Sequence, residues 1–271
     1  MQLLRIYYCR ECRASHHRAI RNLKNSVLES PRNISPQLDA SNRGILEDYV
    51  HKNRVKNPVH MGRLARMAIE RNKEWAPGRV LTISFIGGNK SVKDRLIRHA
   101  QRWCDHGHIF FDFSHRRKIA DIRISFRTKG GSWSEIGTDV LSVDSSEPTM
   151  NFGWLTPTLN DEEFGQVVLH EFGHALGCIH EHSRPDAGIP WNKPIVYEYY
   201  RQSDGWTPEE VDDQVFYKYN KSLIRGSRFD DRSIMMYAIP NDLTKGNYEV
   251  PFNSDLSKGD KSYIKKLYPK P

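Results

Sequence analysis

The sequence has no apolar run approaching the roughly 20 residues that a membrane-spanning helix needs, so nothing in it reads as a transmembrane segment. Residues 1 to 8, Met-Gln-Leu-Leu-Arg-Ile-Tyr-Tyr, are too short and too interrupted by Arg5 to form the apolar core of a secretory signal peptide. No signal peptide is therefore recognisable, and the compartment stays open. Cysteine is scarce, with four in 271 residues, and Cys9-x-x-Cys12 has no second pair to close a four-thiolate zinc site. Residues 76 to 271 carry no net charge, which gives no lean toward charged substrates.

What is present divides unevenly along the chain. Residues 1 to 75 hold 15 Lys or Arg against 7 Asp or Glu, and that surplus of 8 equals the net charge of the whole protein. With Pro31, Pro36 and Pro58 punctuating it, this break separates a basic N-terminal segment, residues 1–74, from residues 75–271. Short helices are predicted near Ala14 to Leu28 and Gly62 to Trp75. Cys9, Cys12, His16 and His17 amount to half a zinc site; a solvated basic arm or a pro-region is the favoured reading. Such an arm could bind an acidic partner, but without aromatic interleaving or a known module nucleic acid is not the favoured one. At 38% hydrophobic content the chain can bury a full core, as one large domain or two small ones.

Residues 170 to 180, His-Glu-Phe-Gly-His-Ala-Leu-Gly-Cys-Ile-His, are the most informative run. On a helix, His170 and His174 are one turn apart and project from the same face. Gly177 can take positive φ and end the helix, and His180 can then return a third nitrogen from outside it. Three protein ligands leave the fourth tetrahedral position of a zinc ion open to water, as in catalytic sites. Neutral imidazoles leave the metal its full charge, which lowers the pKa of bound water to roughly 7. Glu171 is the candidate general base that takes the proton and passes it to a leaving amine. The five-residue H-E-x-x-H alone also arises by chance on solvated helix faces; Gly177 and His180 at their offsets decide for zinc.

The flanking sequence agrees with a helix. Asn160 followed by Glu163 resembles a capping box before an apolar run. Leu169, Phe172 and Leu176 share a stripe expected to face the core, with the two His on another flank. Gly165 and Gly173 each cost about 1 kcal/mol against Ala in a helix interior, which close packing against a neighbouring element would justify.

Downstream, residues 233 to 237 read Ser-Ile-Met-Met-Tyr. With the zinc motif, this run resembles the Met-turn of metzincin metallopeptidases, most closely the astacin-like group. The resemblance implies that Met235 lies as an apolar floor beneath the metal and that Tyr237 approaches it to stabilise the tetrahedral intermediate. Glu181, Arg184 and Asp186 match the family pattern H-E-x-x-R-x-D that starts at the third His. Further similarity, at 131–137, 149–153 and 256–269, extends it over roughly residues 75 to 271. Two departures mark a divergent member. Only Cys104 and Cys178 lie in this region, where the family often has disulfides, and Cys178 reads as packing; Met236 stands where astacins often have His.

An α+β fold is expected, a metzincin or zincin-like catalytic domain with a mixed twisted sheet, an active-site helix and a looser C-terminal subdomain. Strands are predicted at Arg79 to Ile86, Ile109 to Phe113 and Asp121 to Phe126, the last with Arg123 and Ser125 on a wet face. Segments 135 to 141 and 148 to 155 complete the sheet, and Ser91 to Cys104 is helical. Trp191 and Trp206 read as core or loop anchors. The expected function is zinc-dependent hydrolysis of peptide bonds in proteins, by a monomer with one zinc per chain; the resemblance also favours secretion. The competing readings are a silent zinc-binding regulator and a basic-arm binding module.

Overall fold

The computed structural model describes residues 68–70, 73–114, 120–226 and 228–271. Cys9, Cys12, His16, His17 and the helix expected near Ala14 to Leu28 lie outside the described residues. Of the helix expected near Gly62 to Trp75, residues Ala68–Glu70 are instead a strand, β1, because they pair antiparallel with a later strand, Ile224–Gly226.

The main sheet has five strands. They are β2 (Val80–Ile86), β3 (Phe110–Asp112), β4 (Ile122–Ser125), β5 (Ser132–Ser134) and β6 (Met150–Phe152), in the spatial order β3-β2-β4-β6-β5. All pairings are parallel except β5 with β6, so the sheet is mixed and β5 is its antiparallel edge. Helix α1 (Lys90–Gln101) starts at Asn89, whose side chain accepts the Ser91 N–H, and buries Val92, Leu96 and Ala100. Helix α2 (Asp161–Ala175) follows β6; Asn160 caps it by accepting the Glu163 N–H. Then come α3 (Lys193–Ser203), α4 (Pro208–Val211), a single π-helical turn at Asp212–Phe216, β7 (Ile224–Gly226) and the C-terminal α5 (Lys258–Leu267).

Two further expectations are corrected. Arg123 and Ser125 do not face water: β4 is covered on both sides, and Arg123 is 5% exposed. Its guanidinium donates to the carbonyls of Ala120, Val143, Asp144 and Glu147, so a loop folded over the sheet supplies what solvent would have. Residues Gly137–Ser142 form a 3₁₀ helix rather than a strand, with Gly137 at φ +50 pressed against the Lys73 carbonyl, where no side chain fits.

Two main hydrophobic cores result, with a small third cluster of Ile136, Ile179, Tyr219 and Ile224. The larger lies among the sheet, α1, α2 and α5. A second, built from Val196, Tyr200, Trp206, Val211 and neighbours, supports the C-terminal half, where much of the chain is turns and short 3₁₀ segments. Trp206 stacks on Tyr200 there, and Trp191 meets Phe216 edge-on at that core's margin, as loop and core anchors do. The segment Ser233–Tyr237 passes from one core to the other: Ile234 and Met235 belong to the first, Met236 and Tyr237 to the second.

Candidate active site

Helix α2 is buried along its length from Phe164 to Ala175, so the flank carrying the two His is covered as fully as the apolar stripe. A buried helix must find partners for its terminal carbonyls inside the protein. At its end the Gly177 N–H donates to His174 O (2.8 Å) and the Cys178 N–H to Gly173 O (3.0 Å), the Schellman pattern. Gly177 sits at φ +94, the conformation expected of it. Trp75 Nε1–H donates to Ala175 O, and the Tyr268 hydroxyl to Leu176 O, both at 2.8 Å. This turn reverses the chain within three residues and returns His180 to the helix it has just left.

The three imidazoles meet there. His180 Nε2 lies 3.0 Å from His174 Nε2 and 3.1 Å from His170 Nε2, and all three rings are buried. His170 Nδ1 is 2.8 Å from the Ile234 carbonyl, and His174 Nδ1 is 2.8 Å from the Cys178 carbonyl. A carbonyl only accepts, so each Nδ1 carries its ring's proton and each Nε2 presents a lone pair inward. Burial lowers the pKa of His170 to about 4 and pushes that of His174 well below the usual histidine value. Neutral nitrogen lone pairs aimed at one another repel, and burial disfavours a proton between them. A cation is the natural complement, and three imidazoles suit zinc. Among the described residues this is the one group of His, Cys, Asp and Glu side chains with metal-holding spacing.

The other anticipated residues gather around it. Glu171 follows His170 on α2 and is 1% exposed. Met235 is fully buried, its sulfur against Gly173, one residue before His174. A Cβ at Gly173 would overlap that sulfur, and one at Gly165 would come within 2.8 Å of the His99 ring. Close packing thus accounts for Gly173, while Gly165 leaves room for the His99 ring. The Tyr237 hydroxyl lies 2.8 Å from His180 Nε2. Arg184 pairs through two nitrogens with Asp186, at 2.8 and 2.9 Å, and lies 3.6 Å from Glu181. Glu181 is buried, which raises its pKa to about 8. Cys178 carries no disulfide and is buried, as a packing residue would be.

Sequence reasoning missed the scaffold behind the ligands. Asp260, on α5, accepts from the Ser233 hydroxyl (2.6 Å) and the Ile234 N–H (2.8 Å), and so holds the turn whose carbonyl orients His170. It also forms a capping box with Ser257. That S-x-x-D spacing is visible in the sequence as a helix start, but its reach to residue 233 is not. His182 was also missed; its ring stacks on those of His180 and Tyr237.

The profile of the peptidase family described as Astacin matches residues 67–269. The chain is similar to the solved structure of myroilysin, with a TM-score of 0.73 and 40% identity, over 75% of this chain and 99% of that one. It is similar to zinc metalloproteinase nas-39 of Caenorhabditis elegans, 32% identical over 127 residues, covering 40% of this chain and 12% of that one. It is also similar to zinc metalloproteinase dpy-31 of Teladorsagia circumcincta, 25% identical over 210 residues, covering 72% of this chain and 31% of that one. The chain therefore spans a third or less of the length of these curated relatives.

Proposed function

We propose, from the premise that this chain belongs to the astacin family of peptidases, that it is a zinc-dependent endopeptidase acting on peptide bonds in proteins. One observation carries the reading: three buried imidazoles, two with Nδ1 tied to carbonyls, bring their Nε2 atoms together, that of His180 lying 3.0 Å from His174 and 3.1 Å from His170. His170, His174 and His180 would hold one zinc per chain. When bound, that ion supplies Lewis acidity, which activates water and polarises a carbonyl.

The protein's own groups do the rest. Glu171 takes the proton of the attacking water and delivers it to the leaving amine. The Tyr237 hydroxyl donates to the oxyanion that develops on the attacked carbonyl. Met235 fills the floor under the helix, and Asp260, through the Ser233–Ile234 turn, keeps His170 in its tautomer and orientation. Among the described residues β5 is an outer strand of the main sheet and lies beside α2, where an extended peptide adds as a further strand. Export from the cell and action as a monomer belong to the same reading and rest on the family alone. Among the described residues, no helix is long and apolar enough to cross a membrane.

The test pairs zinc with turnover. The purified protein is expected to bind one zinc and to cleave an unfolded protein substrate; a chelator stops cleavage and added zinc restores it. Glu171→Ala retains the metal and loses roughly 10²–10⁴ in kcat. Normal turnover by a zinc-loaded Glu171→Ala protein would remove Glu171 from its role. Absence of cleavage by the zinc-loaded wild-type chain would favour the silent regulator instead.

A further inference from the structure

Tyr237 is anchored by a neighbour that no part of the proposed chemistry uses. The His182 ring lies 4.6 Å from the Tyr237 ring at 28°, a near-parallel stack, and 5.2 Å from the His180 ring at 23°. It is fully buried. Its Nε2 lies 3.0 Å from the Gln214 carbonyl, which can only accept, so that nitrogen carries a proton and the ring plane is set. Gln214 belongs to the π-helical turn Asp212–Phe216, an uncommon geometry that here places a carbonyl where His182 needs it. Lys218 donates its ammonium to the His182 carbonyl, and the Tyr219 N–H donates to the Ser183 carbonyl at 2.9 Å, holding the 3₁₀ turn Glu181–Ser183 from the same side.

A phenol that donates to a developing oxyanion must be held to within a fraction of an ångström. Tyr237 has its hydroxyl at the metal site, and its ring meets three imidazoles: those of His170 (5.8 Å) and His180 (4.5 Å), which face the metal site, and that of His182 (4.6 Å), which does not. We propose that His182 is a positioning residue for Tyr237: its imidazole, locked by Gln214, is the wall on which the phenol stacks as its hydroxyl reaches the reacting carbonyl. The Gln214 turn thereby couples the C-terminal core to the reaction. This inference rests on the reading of Tyr237 as the oxyanion donor.

The experiment is a double-substitution cycle on the zinc-loaded full chain, with His182→Leu, His182→Phe and Tyr237→Phe. Leu keeps the volume but offers no face to stack on; Phe keeps the face. Tyr237→Phe is expected to lower kcat by about 10²-fold, the usual cost of one oxyanion donor. His182→Leu should lower kcat about tenfold with KM and zinc content unchanged, His182→Phe should recover most of that loss, and His182→Leu should add nothing to Tyr237→Phe. A second readout needs no turnover: the Tyr237 ring-proton NMR shifts should move in His182→Leu and stay close to wild type in His182→Phe. Independent, multiplying losses in the cycle would overturn the proposal, as would a His182→Phe protein no better than His182→Leu. Wild-type kcat in Tyr237→Phe would remove the donor reading and this one with it. Should His182→Leu fail to fold, the Tyr237 ring shifts and kcat of His182→Phe decide alone.

Discussion

Gly165 and Gly173 lie in the same helix, and replacing each by Ala separates propensity from packing. Propensity favours both substitutions by about 1 kcal/mol. What the new methyl meets differs. At Gly173 it overlaps the Met235 sulfur and approaches Trp103 within 3.3 Å, and both of those side chains are fully buried. Methionine is flexible, but this one is fully buried and packs against Gly173, so the methyl displaces it or shifts the helix or the Met235 turn, at about 1–3 kcal/mol for overpacking. Taking the upper end, Gly173→Ala loses about 2 kcal/mol net, or a Tm lower by roughly 4–8 °C for a chain of this size. Movement of the turn also shifts the Ile234 carbonyl away from His170, so zinc affinity falls about tenfold. At Gly165 the methyl meets the His99 ring, whose side chain is 13% exposed and can swing outward, giving up a 3.2 Å contact with Asp161. Gly165→Ala should therefore stay within about 0.5 kcal/mol of wild type. Calorimetry of the zinc-free proteins and a competitive zinc titration measure both. A Gly173→Ala protein that melts above wild type would refute the packing argument. So would a double Gly173→Ala, Met235→Ala protein whose loss equals the sum of the single losses, since removing the thioether should relieve the clash.

Other outcomes follow from the same geometry. Burial raises the Asp260 pKa from 3.8 to about 6, so between those values the folded protein holds a proton that the unfolded chain has released. The favourable contribution is full below pH 4 and is lost as pH rises to about 6, to the extent of about 3 kcal/mol. Asp260→Asn should flatten the pH dependence of urea unfolding across that window, and an unchanged slope would exclude Asp260 as its source. Trp75→Phe leaves the buried Ala175 carbonyl without its 2.8 Å donor and should cost about 1–3 kcal/mol in urea unfolding. Arg123→Met abandons four carbonyls held by one guanidinium and should cost at least as much, seen first as faster amide exchange over residues 143–147.

The helix Asp161–Ala175 and the turn after it were legible because their signals are local. A one-turn spacing puts His170 and His174 on one face wherever the helix lies, Gly177 permits only certain continuations, and Asn160 marks the start. Strand β4 shows the limit. Its alternation of apolar and polar residues predicts one wet face, and nothing within ten residues announces that a later loop brings its carbonyls to Arg123. The segment at 137–142 likewise reads as a strand until Lys73 closes on Gly137 from far along the chain.

By itself, then, the sequence determined which side chains the helix and its turn offer to one place, His170, Glu171, His174 and His180, since their order depends on side-chain chemistry and on the period of a helix. Tertiary structure alone decided which nitrogen of His170 and of His174 points inward. That depends on carbonyls at Ile234 and Cys178, and the first of these stands where it does because Asp260 reaches back from the last helix. It also decided how the Tyr237 ring is stacked, on His182 held by a carbonyl in a π-helical turn. A spacing can bring donors to one face, but their orientation is a long-range hydrogen-bonding matter that only the assembled cores settle.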